Sequence, residues 1–194
     1  YYIYHLDRQG DSILQEQLKI AEISQHKSLF LIVFFGKAVM NISKWGRKET
    51  FDRALQFVNK GLEYSKTVGR EDYVTLSYIR LATLYRKKGE IDKAFYNANI
   101  ALTSSLNIKN DSVKILAAIE LGDTYQAKGE SLLAFKTYTN AFDNAVADNN
   151  VFLQSEVYHR FSELYLSLRN DLAAKEYLSR SIELNKKHRN GEGL

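Results

Sequence analysis

Apolar and small residues recur along this chain in two interleaved helical stripes. Between residues 74 and 102, Val74, Tyr78, Leu81, Ala82 and Tyr85 fall at the spacing of one helix face. A polar stretch with Gly89 follows. Ile91, Ala94, Phe95, Ala98, Ala101 and Leu102 then form a second stripe. The pattern predicts two helices joined at Gly89, because glycine enters the left-handed conformation that ends a helix at little cost. The scheme returns with Gly122, Tyr125, Gly129, Ala134, Phe135, Tyr138 and Ala141.

The period is fixed. Ala54, Ala94, Ala134 and Ala174 stand forty residues apart. Trp45, Tyr85, Tyr125 and Tyr165 precede them by nine, and Gly61, Ala101, Ala141 and Ser181 follow by seven. Leu62, Leu102, Phe142 and Ile182 come next. The frame reaches back to Leu14 and Ala21, with His5 in the aromatic slot. Small residues two turns apart let paired helices approach closely, and the aromatic is expected to be buried in the space between. The frame divides a single domain over 1–194 into a truncated copy near 1–26 and full copies near 27–67, 68–107, 108–147 and 148–188. The chain reads as a fragment of a longer protein. The joints between copies are polar, as in SSLNIKND, where Asp111 or Ser112 is expected to cap the next helix. One helix pair cannot bury its stripe alone, whereas stacked pairs can, so the expected fold class is an all-α solenoid.

The segments LATLYRKKGEIDKAFYNANIAL and LGDTYQAKGESLLAFKTYTNAF resemble the tetratricopeptide repeat (TPR) family. The matches are Leu81-Ala82, Tyr85, Gly89, Ala94 and Ala101, then Leu121-Gly122, Tyr125, Gly129, Ala134, Tyr138 and Ala141. The outer copies depart from the pattern. Arg169-Asn170 replaces the turn glycine, Leu178 the aromatic, and Asn41-Ile42 the Leu-Gly pair. The family's terminal proline is absent, and forty residues is longer than its usual period. The resemblance implies a right-handed superhelix of antiparallel helix pairs. It also implies the kind of long repeat found beside output domains in bacterial signalling proteins.

Composition sharpens this picture. The 194 residues contain no proline, where average usage would give about nine or ten. A chain without proline keeps its helical hydrogen bonds unbroken. The absence of cysteine excludes disulfides, thiolate zinc sites and a cysteine nucleophile. The longest apolar run, Leu29 to Phe35, is too short to span a membrane and reads as a buried helix segment. No leader is visible at Tyr1, and a cytoplasmic location is expected.

No enzyme constellation stands out. His5, His26, His159 and His188 include no i,i+3 or i,i+4 pair, and the phosphate-loop, dinucleotide and nucleophile-elbow glycine motifs are missing. No catalytic residue, metal or cofactor is therefore expected, and the chain reads as a non-enzyme. A net charge of +4, built from 27 basic and 23 acidic residues, is too balanced to favour nucleic acid.

In the resembling family the first helices line a concave groove. Counting from the Leu-Gly/Ala pair places Val39, Ser43 and Arg47, then Ile79, Thr83 and Arg86, then Ile119, Asp123 and Gln126, then His159, Glu163 and Leu166 on that face. Such a mixture of apolar and charged groups suits an extended peptide or helix. A family clamp for C-terminal carboxylates would fall on Ile79, Thr83, Glu120, Glu156 and Arg160, where only the arginine fits. The expected function is a protein- or peptide-binding module, the regulatory part of a bacterial signal-transduction protein. The alternatives are a peptide-pheromone receptor and, behind it, a partner-directed phosphatase or an RNA-binding repeat. Self-association through an end or through Leu29–Phe35 is also expected, because neither end has an evident polar cap.

Overall fold

A computed structural model describes residues 48–189, with side chains over 51–188. The expectations placed on the truncated copy, Leu29–Phe35, Val39, Ser43, Trp45 and Arg47 lie outside the described residues. Seven α-helices and no strand occur within them. They are α1 (Lys48–Thr67), α2 (Glu71–Lys88), α3 (Ile91–Ser105), α4 (Asp111–Ala127), α5 (Ser131–Ala147), α6 (Val151–Ser167) and α7 (Asp171–Arg189).

Each helix packs against the next. In addition α2 packs on α4 and α4 on α6, whereas α1, α3, α5 and α7 make no such contact with one another. The stack therefore curves toward α2, α4 and α6, which form an inner, concave layer. Ala54, Ala94, Ala134 and Ala174 are all buried where outer helices meet inner ones. Helix α4 has neighbours on every side. Its buried residues accordingly run round the helix, from Ile115 and Ala118 to Glu120, Asp123 and Thr124, with no single apolar stripe.

The turns follow the repeat register. Gly89 and Gly129 take φ of 83° and 80°, and Arg169, at the same register position, is held at φ 57°. A residue with a Cβ in that conformation carries about 1 kcal/mol of strain or more. The cap of α4 is Asn110, one residue before the expected Asp111, and its side chain accepts from Val113 N. Asn150 caps α6 in the same way.

The tyrosines expected to be buried at 85, 125 and 165 are only half-buried. Each packs against a phenylalanine of the preceding outer helix, in the pairs Phe51–Tyr85, Phe95–Tyr125 and Phe135–Tyr165. They sit at the rim of each junction, and its middle is filled by the small residues and by Leu84 or Leu164. At the last described pair Ala174 is buried while Leu172, Leu178 and Ile182 of α7 are exposed.

One junction differs from the copy before it. Tyr138 is fully buried against Gly122, and a Cβ at 122 would lie 2.6 Å from Tyr138 Cδ1 and closer still to Cε1. Forty residues earlier the same two positions hold Ala82 and Ala98. Gly122→Ala should therefore cost about 1–3 kcal/mol by overpacking. In a Tyr138→Ala background it should become neutral or stabilising, because alanine is about 1 kcal/mol better than glycine inside a helix. Urea unfolding of the four proteins of this cycle checks the coupling, and additive costs would contradict it.

Candidate functional site

The concave face is organised by charges from three inner helices. Arg86, in the last turn of α2, reaches across to α4. Its Nε donates to Glu120 Oε1 at 3.1 Å, and a terminal nitrogen donates to Asp123 Oδ2 at 2.9 Å. Thr83 Oγ1 donates to Glu120 Oε2 at 2.7 Å. From the other side Arg160 of α6 places Nε 3.1 Å from Asp123 Oδ1, close enough for an ion pair but without hydrogen-bond alignment. Its other nitrogens meet Glu156 at 2.7 Å and Glu163 at 3.0 Å.

A contact from the outer layer completes the network. Tyr138 OH on α5 donates to Asp123 Oδ1 at 2.8 Å. The Gln126 amide lies 3.1 Å from the same phenol oxygen. Since the single phenolic proton goes to Asp123, that second contact is a hydrogen bond only with the amide NH2 turned to the phenol. Asp123, 8% exposed, thus joins α2, α5 and α6 to α4.

Burial sets the electrostatics. It works against the charge of Arg86, but Glu120 and Asp123 outweigh it and the Arg86 pKa is raised. Arg160 behaves likewise under Asp123, Glu156 and Glu163. Burial pushes the Tyr138 phenol upward, and the neighbouring Asp123 charge adds to the shift. Glu120 is also raised, first by burial and then by Asp123, despite the opposing pull of Arg86. We assign the upward direction to Glu120 because two carboxylates share this guanidinium in a dry site.

Between the inner helices lies an open cleft of about 490 Å³, lined by Arg86, Lys87, Asp123, Gln126, Arg160 and Glu163, with Ala127 and Ser167 at its margin. Of the groove residues expected from sequence, Arg86, Asp123, Gln126 and Glu163 come together here. Thr83 lies behind them as the partner of Glu120. His159 stands beside the cleft, its Nε2 3.7 Å from Glu163. Ile79 and Ile119 are corrected: at 4% and 5% exposure they pack inside the apolar core and offer a ligand no surface. Leu166 is exposed outside the cleft.

Sequence reasoning missed Arg160, Tyr138 and Lys87 as parts of this face. A signal for Tyr138 existed, since the smallest residue of α4, Gly122, sits in register with the bulkiest insertion on α5. Arg160 was visible only as a clamp remnant. Ringed by Asp123, Glu156 and Glu163, it is not free to take a carboxylate. Among the described residues no group of three His, Asp or Glu side chains could hold a metal ion.

A tetratricopeptide repeat model matches residues 155–188, which span α6 and α7. The structure is similar to that of BtubC (BKLC) from P. vanneervenii, with a TM-score of 0.70 and 17% identity over 96% of this chain and 75% of that one. It is similar also to the apo form of RapI, with a TM-score of 0.64 and 15% identity over 97% and 81%. The chain is a tetratricopeptide-like α-solenoid. A putative kinesin light chain with TPR-like repeats from Podosopora anserina shares the solenoid at a TM-score of 0.58 and 11% identity, over 94% of this chain and 96% of that one. No curated protein matches the sequence.

Two measurements test the network of this solenoid. Asp123→Ala leaves two guanidiniums and a phenol without their shared acceptor, and should cost about 3–5 kcal/mol. Glu163→Ala, at an exposed pair, should cost no more than about 1 kcal/mol. Similar urea midpoints for the two variants would contradict the assignment. The second measurement concerns pH. Glu120 has a folded pKa above its ordinary 4.5, so the native state keeps a proton that the unfolded chain releases. Stability from this group is complete below 4.5 and is lost as pH rises through the raised value. Glu120→Gln cannot lose it, so its stability relative to the parent should improve between pH 4.5 and neutrality. Parallel profiles would show that Arg86 and Thr83 fully compensate the buried carboxylate.

Proposed function

We propose that the chain is a protein- or peptide-binding module whose concave cleft takes an extended segment of a partner. The observation that carries this reading is the open cleft of about 490 Å³ between α2, α4 and α6, walled by fixed polar groups. Arg86, Asp123 and Arg160 are already held by one another and form a rigid floor. Lys87, Gln126, Glu163 and Ser167 remain at the surface, where they can meet the N–H and C=O groups of an extended backbone. The floor does not have to be reorganised when the partner arrives, which lowers the entropic cost of binding.

The TPR-like fold supports the same reading, since such solenoids typically serve as non-catalytic interaction scaffolds. The forty-residue spacing supports a regulatory role in a larger bacterial signal-transduction protein, with reception of a short peptide as the second form of that role.

The buried network dictates how the cleft should be tested. Changes at Arg86 or Asp123 would disturb folding, so the probe is the triple variant Lys87→Glu, Gln126→Ala and Glu163→Lys. Peptides selected from a random display library on the 194-residue chain should lose about tenfold or more in affinity to this variant, with unchanged helicity. Tyr96→Ala and Thr103→Ala, exposed on outer helix α3, should leave binding intact. Equal losses from both sets would rule the cleft out. Selection of compact short sequences would favour peptide reception over scaffolding.

A further inference from the structure

The turn edge of the solenoid changes chemistry at one junction. At the two earlier junctions it is closed by charge. Lys88 lies 4.4 Å from the Phe51 ring centroid and pairs with Glu90, which also pairs with Lys93. Lys128 lies 4.4 Å from the Phe95 ring centroid and pairs with Glu130. Forty residues on, the lysine positions hold Leu168 and Leu133, and Asp92 is replaced by Leu132 and then by Leu172. The aromatic beneath, Phe135, keeps its place and loses its cation.

The result is an apolar patch with a pocket in it. Leu132 is 67% exposed, Leu168 52% and Leu172 83%. Between them a pocket of about 250 Å³ is lined by Ser131, Leu132, Phe135, Leu164, Tyr165 and Leu168. Further solenoid repeats would not cover it, because Asp92, Lys93 and Lys128 are exposed one copy earlier although a complete pair follows them.

The rim indicates what does cover it. Lys136 lies one helical turn beyond Leu132 and Leu133, Lys175 one turn beyond Leu172, and Arg169 beside Leu168. All three are exposed, and none has an ion-pair partner among the described residues. Of the nearby acids, Glu130 is taken by Lys128, which leaves Asp171. A complementary partner is therefore apolar at its centre and negative at its flanks. Neither a second copy, with its net charge of +4, nor the chain's own Leu29–Phe35 run, bracketed by Lys27 and Lys37, brings that charge.

We propose that the turn edge formed by α5, α6 and the start of α7 docks an acidic amphipathic helix of a partner protein, with one large apolar side chain seated in the pocket between Phe135 and Tyr165. This surface is separate from the concave cleft and does not depend on what the cleft binds.

The test uses the 194-residue chain and two lactam-stapled helical peptides with the same leucine stripe, one flanked by glutamates and one by lysines. Fluorescence anisotropy should show the acidic peptide binding about tenfold or more tightly than the basic one, and more weakly as salt is added. Leu132→Gln with Leu168→Gln, both at exposed positions, should cut its affinity about tenfold with no change in thermal melting. Lys136→Glu with Lys175→Glu should shift the preference toward the basic peptide. The cleft variant Gln126→Ala with Glu163→Lys should leave binding unchanged, which separates this surface from the cleft. The proposal is overturned if neither peptide binds, if both bind alike, or if the leucine variants bind as the parent does. Sedimentation showing a dimer that the leucine variants dissociate would overturn it too, by assigning the patch to a second copy.

Discussion

The contact between Gly122 and Tyr138 is the constraint on which the middle of this solenoid depends. Only a residue without Cβ lets the phenol lie flat against α4, and only from there does its hydroxyl reach Asp123. The outer layer thereby gains a polar hold on the inner one, where the preceding copy has two alanines and no such hold. Asp123 in turn fixes Arg86 and Arg160, so one close approach in the core propagates to the chemistry of the concave face.

An ionic inner layer is not the most stabilising choice. Buried pairs roughly break even against apolar packing, because desolvation cancels most of the Coulomb gain. What they supply is a penalty for misplacement. If α2 slid along α4 by one turn, Thr83 and Arg86 would both leave Glu120, and an unpaired buried charge is costly. Apolar packing alone would tolerate such a slip better. The curvature that opens the cleft is thus held by groups that cannot exchange partners cheaply.

The sequence made the helix pairs, their order and the glycine turns legible because these depend on local periodicity and on backbone conformation. Ala54, Ala94, Ala134 and Ala174 could be read as core positions for the same reason. Legibility failed where an outcome depends on what stands opposite. Ile79 and Ile119 lie one and two turns before groove residues on the same helix face but fall between helices that touch, so they are buried. Asn110 outcompeted Asp111 for the cap because its side chain, one residue earlier, reaches Val113 N. Arg160 looked like a relic of an anion clamp in one dimension. In three it is neutralised by acids from its own helix and from α4.

A repeat protein carries its own controls, and this bears on how function is read from it. A position that serves stacking is under the same physical demand in every copy and keeps its chemistry, as the small residues at 101, 141 and 181 do. A position that changes chemistry in one copy while its surroundings stay the same is answering some other demand. Replacement of Lys93 and Lys128 by Leu133 and Leu168 is such a change. It leaves Leu133 42% and Leu168 52% exposed, removes the cation from the ring beneath, and adds neither leucine to an apolar cluster between helices. Stability of the isolated solenoid cannot explain a substitution that costs hydration and gains no packing. A partner that dehydrates those leucines can.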